Sequence, residues 1–144
     1  MEGKVTVSIL NERHEGPIGN DWKYWLEAKV FNEGLKDQGI VKVKKHSFPE
    51  NVIQEPPGPP APMELAAGDS GNQVKVRLTL EATEVDLFKN DVGIISVDDC
   101  LDFPAPGAEP SVHDKLISVG VVESPGLTGE TSIFALMVRL ELSC

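Results

Sequence analysis

Apolar and polar residues alternate along several stretches of this chain, which is the pattern of a β-strand with one buried face. No stretch carries apolar residues at helical spacing with capping residues at both ends. The alternation predicts seven strands, at residues 4–10, 22–31, 40–45, 73–83, 93–97, 115–122 and 131–142, and a short strand or turn at 63–67. Strands separated by turn residues predict an all-β fold, an antiparallel β-sandwich of about seven to eight strands.

Polar stretches rich in glycine and proline separate these strands and predict connections at residues 11–21, 32–39, 102–114 and 123–130. The longest connection spans Ser47–Asn72 and holds six of the 11 prolines. Proline cannot donate a ladder hydrogen bond, so this stretch is predicted to be a loop with a polyproline-like core at Glu55–Pro62. That core is either a stiff connector or a docking site for a proline-binding partner. The length of 144 residues predicts a single domain over residues 1–144.

The net charge of −10 narrows the classes of partner. It argues against sequence-independent binding of nucleic acid, which needs Lys and Arg to neutralise phosphates. It also disfavours direct adhesion to an anionic membrane, unless a bound cation reverses the charge locally. We expect a soluble, cytoplasmic protein, because the chain shows neither an export signal nor an apolar run of membrane-spanning length.

The residues that carry most enzyme chemistry are sparse or scattered. The two cysteines, Cys100 and Cys144, are too few for a disulfide scaffold or a four-cysteine zinc site, and we expect free thiols, although a pairing stays open. His14, His46 and His113 lie in three separate segments, and we expect them to be unrelated and exposed to solvent. No phosphate-binding loop or nucleophile elbow is present. The sequence therefore predicts a protein that is not an enzyme.

Acidic residues are concentrated in two of the predicted loops. Glu15 and Asp21 stand six apart in the first, and Glu84, Asp86 and Asp91 occupy a later one. Carboxylates two and five residues apart at the tip of a loop between strands can converge on a hard cation such as Ca²⁺. The other interpretation is an ordinary, solvated acidic turn. If both loops lie at the same end of the sandwich, they can share a cation.

The order of these elements resembles that of C2 domains: a strand, an acidic loop, an aromatic strand, a basic strand, a long connection, a strand and a second acidic loop. The stretch Lys89–Gly93 is similar to the end of the family's second calcium-binding loop. The resemblance implies a C2-like strand order, with an immunoglobulin-like order as the alternative, and calcium bound by five carboxylates: Glu15, Asp21, Glu84, Asp86 and Asp91. It also implies contacts to lipid or a partner from Leu87 and Phe88 at the loop tip and from Lys42, Lys44 and Lys45 on a basic strand. Glutamates replace two of the family's aspartates here, and the second loop is one residue shorter.

Two functions are therefore compatible with the sequence. The first is a non-catalytic interaction or scaffold module that acts through contacts with a protein partner or through self-association. Its candidate surfaces are Trp25, Phe31, the Pro-rich loop and a final strand, Thr131–Leu142, at a sheet edge. The alternative is a Ca²⁺-dependent C2-like module that binds phospholipid or another anionic partner through its acidic loops.

Overall fold

The computed structural model describes residues 2–87, 89–123 and 130–144. These ranges contain eight strands: β1 (Gly3–Glu15), β2 (Asp21–Phe31), β3 (Leu35–Ser47), β4 (Met63–Gly68), β5 (Gln73–Glu84), β6 (Asp91–Asp102), β7 (Ser111–Val122) and β8 (Thr131–Ser143). They form two four-stranded sheets, in the orders β4-β1-β8-β7 and β3-β2-β5-β6, and all strand pairs are antiparallel. The predicted all-β sandwich is confirmed, and within the described ranges no helix is long and apolar enough to cross a membrane.

The core lies between the inward faces of the two sheets, and the alternation identified most of it. On β2 every second residue from Trp22 to Val30 is buried, as the pattern predicts. On β3 the alternation left open whether Ile40 or Val41 faces inward with Val43; the inward residue is Val41, which packs against the core, whereas Ile40 is exposed. The rings of Trp22 on β2 and Phe134 on β8 lie 5.2 Å apart, so aromatic packing joins the two sheets.

The prediction of a loop over residues 11–21 is wrong for its first half, because β1 continues to Glu15. Ile9 pairs with Val138 on β8 and Asn11 pairs with Met137, so one β1 residue between them has no partner. Such a β-bulge reverses the phase of the alternation. Beyond it the even-numbered side chains face inward, and Glu12 and His14 are fully buried.

A second bulge lies in β3. Trp22 pairs with His46 and Tyr24 pairs with Val43, so two steps along β2 match three steps along β3. The extra residue allows both Val43 and His46 to face the interior, while the two lysines between them stay exposed. Polar residues therefore enter the sandwich from two different strands, and each does so at a bulge.

The final strand is not at an edge. β8 lies between β1 and β7, so the prediction that Thr131–Leu142 could extend a neighbouring sheet is wrong. The edges of the sheets are β3, β4, β6 and β7. The edge strands β6 and β7 belong to different sheets and approach each other closely at Gly93. A Cβ atom on Gly93 would lie 2.4 Å from the Gly120 carbonyl oxygen of β7, so only glycine allows this approach of the two backbones.

The strands are longer than their apolar patterns predicted. β3 begins at Leu35, β6 ends at Asp102 and β7 begins at Ser111, in stretches that the sequence assigned to turns. These extensions are polar because they belong to solvated outer faces, and cross-strand ion pairs such as Arg77–Asp98 and Arg139–Asp114 cover them.

The long connection between β3 and β4 is docked on the sandwich over its first half. Glu12 and Gln54 exchange two backbone hydrogen bonds, of 2.8 and 3.1 Å, and the Asn51 N–H donates to the His14 carbonyl oxygen at 2.8 Å. Phe48 is buried in the core. The short strand predicted at 63–67 is confirmed as β4, which pairs with β1.

Candidate functional site

The two acidic loops lie at the same end of the sandwich. The start of β2 is paired with the end of β5, and the Val85 N–H donates to the Asp21 carbonyl oxygen at 2.8 Å. The first loop packs directly on Glu84, because a Cβ atom on Gly19 would lie 2.5 Å from Glu84 Oε1. Gly19 has φ +148°, a backbone conformation that also favours glycine.

Glu84 is the centre of this acidic end. It is only 3% exposed, and burial is the main reason that its pKa is raised from 4.5 to about 7. The negative charges of Asp86, Asp91 and Asp21 raise the pKa further, in that order. The four carboxylates are therefore close enough to repel one another.

The predicted calcium ligands are only partly brought together. Glu15 ends β1, where it pairs with Ile133 of β8 in the sheet that does not contain Glu84, and it is not among the charges that act on Glu84. Within the described residues, no three His, Cys, Asp or Glu side chains lie in a group that could hold a metal ion. Leu87 projects into solvent at 91% exposure, and the predicted tip residue Phe88 lies outside the described residues. In the part of the chain that the structure describes, the acidic end is a cluster of mutually repelling carboxylates.

A basic groove lies on the outer face of β2 and β3, next to the acidic end. Lys23 pairs with Thr83, one residue before Glu84, and the lysines of β3 in the groove lie opposite the first residues of β2. The first part of the groove is a cleft of about 320 Å³ in which Trp25 is half-buried, and it is lined by Lys23, Tyr24, Trp25, Lys42, Val43, Lys44, Glu81 and Thr83. Trp25 and Lys42 are directly paired across β2 and β3, which places the lysine beside the indole. Glu81, on the neighbouring strand, is the only carboxylate in this lining.

The groove continues over the bulge of β3 toward the Pro-rich connection. The second part has a volume of about 420 Å³ and is lined by Lys42, Val43, Lys44, Lys45, His46, Pro57, Gly58 and Pro60. Within the described ranges, its lysines and Lys23 form no ion pair; the lysines that do, Lys4 and Lys29, are elsewhere. Unpaired ammonium groups so close together produce a local positive potential in an acidic protein.

Sequence reasoning identified only half of the groove. It singled out Lys42, Lys44 and Lys45, which line the groove, but it did not connect them with Lys23 and Trp25. Those two residues are brought beside β3 by strand register, and register is not readable from one strand alone. The alternation on β2 did place Lys23 and Trp25 on its outer face, and this was the signal available.

A buried polar network lies beneath the groove. Glu12 is fully buried, and its Oε1 accepts a hydrogen bond of 2.8 Å from the Tyr24 hydroxyl. Its Oε2 contacts His46 Nε2 and accepts from Gln54 Nε2 at 3.1 Å. Burial, followed by the negative charge of Glu12 and this hydrogen bond, raises the pKa of Tyr24 above its ordinary value.

The histidines are neither unrelated nor uniformly exposed, contrary to the sequence prediction. His46 stacks on Phe48, with ring centroids 5.3 Å apart and planes 14° apart. His14 meets the same ring edge-on at 4.5 Å, and its Nε2 contacts the Phe48 carbonyl oxygen at 2.7 Å. Only His113 is well exposed, and it contacts Asp99 at 3.0 Å. In the sequence, the available signal was that Glu12 and His14 stand two residues apart. One extra residue in β1 is enough to turn both side chains inward.

The molecule thus has an acidic end, a basic groove and a buried ionisable network that joins the groove to the Pro-rich connection. Both cysteines, Cys100 and Cys144, are free and exposed. Neither a protein-family model nor a curated protein matches this chain.

Proposed function

We propose that this protein is a non-catalytic β-sandwich module that binds an acidic, extended segment of a protein partner in its basic groove. The observation that carries the proposal is the cluster of unpaired lysines around Trp25 in a protein of net charge −10. On a protein whose net charge is negative, a positively charged surface is the part to which an anionic partner is steered.

Several features of the groove favour an extended protein segment. Together the two clefts run across the strands, from Glu81 and Thr83 of β5 over β2 and β3 to the Pro-rich connection, so an extended occupant can lie along them. Trp25 offers a flat, half-buried aromatic surface, the kind of side chain that dominates binding energy at interfaces. The lysines pair with carboxylates of the occupant while their stems pack against its apolar parts.

The proposal is tested with a synthetic peptide of roughly twelve residues in which every second residue is Glu. Trp22 is fully buried, so a change in tryptophan fluorescence on titration reports mainly on Trp25. We expect saturable binding that weakens as salt is added.

We expect Lys42→Glu to weaken the binding of the peptide about tenfold or more, because it places a like charge beside the occupant.

Lys36→Glu is the matched control, since Lys36 is exposed on the same strand and the substitution makes the same change in net charge. It should leave the affinity nearly unchanged. Equal weakening by both variants, or equal binding of a peptide with Gln in place of Glu, would show that the groove is not the binding site. Binding to vesicles that contain phosphatidylserine is measured in parallel. If the protein binds these vesicles but not the peptide, the partner of the groove is an anionic membrane and not a protein segment.

A Ca²⁺-dependent, C2-like module is the second candidate function. It is supported by the position of the two acidic loops at one end and by the pKa of Glu84, which burial and then repulsion from Asp86, Asp91 and Asp21 raise to about 7. A cation would relieve that repulsion, and the neutralised end, with Leu87 exposed, could then meet an anionic membrane or partner. The side chains would first have to converge, because the described carboxylates do not form a metal-binding group.

Thermal unfolding in EDTA and in millimolar Ca²⁺, with Mg²⁺ as the control, tests this second function. A native-state site predicts a Ca²⁺-selective rise in the midpoint that Asp86→Asn or Asp91→Asn removes. Equal midpoints in the three conditions would exclude calcium binding and leave the acidic end as a solvated surface.

A further inference from the structure

We propose that the buried Glu12–His46 pair is a proton-dependent latch that holds the connection of residues 48–62 against the sandwich. The connection supplies one wall of the basic groove through Pro57, Gly58 and Pro60. Its regulatory consequence rests on the proposed function, because closure of the latch would set the shape of the groove that a partner meets. The latch itself rests on the geometry of the pair.

The hydrogen bonds of His46 determine how many protons the pair holds. Nδ1 lies 2.8 Å from the Lys44 carbonyl oxygen, which can only accept, so Nδ1 carries a hydrogen. Nε2 contacts Glu12 Oε2, and without a proton between them a ring lone pair would face a carboxylate oxygen. The pair therefore holds one proton, either as imidazolium and carboxylate or as imidazole and carboxylic acid.

Loss of this proton leaves an unfavourable arrangement in the interior. Glu12 is then a fully buried carboxylate with one donor fewer, and only Tyr24 and Gln54 still donate to it. A buried charge that is poorly paired is destabilising, and water reaches it only if the surrounding structure opens. The titratable groups on the elements around the pair are His14 on β1, Tyr24 on β2, Lys44 and Lys45 on β3, and Glu50 and Glu55 on the connection.

The connection is the element that can open. Its contacts converge on the pair: Phe48 stacks on His46, Gln54 donates to Glu12, and the Gln54 and Glu12 backbones are bonded to each other. The Glu12–Gln54 bridge is isolated and continues into no longer ladder. β2, β5 and β8, in contrast, are each paired on both sides within their sheets, so opening is expected at the connection and not in the sandwich.

Hydrogen exchange of the unaltered protein, measured residue by residue from roughly pH 6 to pH 10, tests the latch. The Gln54 and Asn51 amides report on it, because they donate to the Glu12 and His14 carbonyl oxygens. After correction for intrinsic exchange, we expect their opening equilibrium to rise about tenfold per pH unit wherever the closed state holds the proton and the open state has released it, the slope for release of one proton. Amides of β5 and β8 should show no such rise. Opening of Gln54 and Asn51 that is independent of pH over the whole range would overturn the proposal.

Glu12→Gln provides a second test. An amide N–H of the new side chain can donate to neutral His46 Nε2 and its oxygen still accepts from Tyr24, so no proton has to be shared. The Gln54 side-chain amide, which donates to Glu12 Oε2, has only to turn over so that its oxygen accepts from the new NH2 group. We expect protection of the Gln54 backbone amide to persist at high pH in this variant. His113→Gln is the control, since His113 is exposed on β7, and it should keep the pH dependence of the unaltered protein. A Glu12→Gln variant that folds and retains the full pH dependence would also contradict the latch.

The acidic peptide separates this inference from the proposed function. If exchange depends on pH but no peptide binds at any pH, the latch stands and the groove is not the partner site. If the peptide binds and exchange does not depend on pH, the groove function stands and the latch is wrong. If both hold, peptide affinity should change over the same pH range in which the connection opens, and a constant affinity would show that the latch does not regulate the groove.

Discussion

Phe134→Ala is expected to destabilise the protein by about 3–5 kcal/mol, the range for loss of a fully buried aromatic side chain. Phe134 is fully buried, and its ring lies 5.2 Å from Trp22, 4.9 Å from Tyr24 and 6.5 Å from Phe48. The substitution would leave a cavity among three rigid rings that cannot easily collapse. Denaturant unfolding of the variant and the unaltered protein measures the change in the free energy of unfolding, provided that its dependence on denaturant concentration is the same in both.

Ile133→Ala is the matched control, because Ile133 is the adjacent residue of β8 and faces outward, with 39% of its surface exposed. It should cost about 1 kcal/mol or less, in line with the small apolar area that it loses. A similar small loss for Phe134→Ala would mean that β8 is not the central, core-facing strand described here. The comparison therefore tests the sheet order and not only the importance of an aromatic residue.

Glu84→Gln is expected to stabilise the protein at pH 8 by up to about 3 kcal/mol, the free energy that corresponds to the raised pKa of Glu84. The pKa of Glu84 is about 7 in the folded protein and 4.5 as its ordinary value. Above pH 7 the folded protein must hold this buried carboxylate in its charged form near Asp86, Asp91 and Asp21. Gln has nearly the same shape and carries no charge, so it removes both the burial penalty and the repulsion.

The sign of the pH dependence follows from proton binding. Between pH 4.5 and about 7 the folded state holds a proton on Glu84 that the unfolded state releases, so stability falls as pH rises through this window. Below the window both states are protonated and the penalty is absent, and above it the penalty is complete. Unfolding free energies measured at pH 5 and pH 8 should therefore differ less in Glu84→Gln than in the unaltered protein.

Glu81→Gln is the control for this prediction, since Glu81 lies on the same strand and is half-exposed on the outer face. It should keep the pH dependence of the unaltered protein. If Glu84→Gln instead destabilises the protein equally at both pH values, Glu84 makes a favourable contact in its charged form. The repulsive description of the acidic end would then be wrong.

Local pattern was sufficient for the fold class and for the strand interiors. On β2 a strict alternation predicted the buried face residue by residue, and on β5 it did so up to Ala82, before Thr83 and Glu84, which are buried as well. An antiparallel sheet with one solvated face requires a period of two. Pattern failed where strands are polar on both sides or change phase. Asn11–Glu15 resembled a loop because the bulge on β1 carries Glu12 and His14 inward, where apolar residues are expected.

The candidate sites divided in the same way. Each acidic loop and the lysines of β3 could be named from sequence, since clustered charge is visible along one chain. Their environment could not, because the raised pKa of Glu84 depends first on burial, to which the packing of Gly19 contributes, and also on Asp21 of the other loop. Glu15 was predicted to join them by its spacing from Asp21, but the strand that continues to Glu15 carries it opposite Ile133.

By itself the sequence determined that the chain alternates, that it contains no helix-forming stripe, and that its charge is strongly negative. These properties depend only on the order and kinds of residues, and they were enough to specify a two-sheet sandwich. The tertiary structure alone decided that β8 is central, that Lys23 and Trp25 complete a basic groove, and that Glu12 meets His46 beneath it. These contacts join residues far apart in the chain, and strand order, register and two single-residue bulges bring them together.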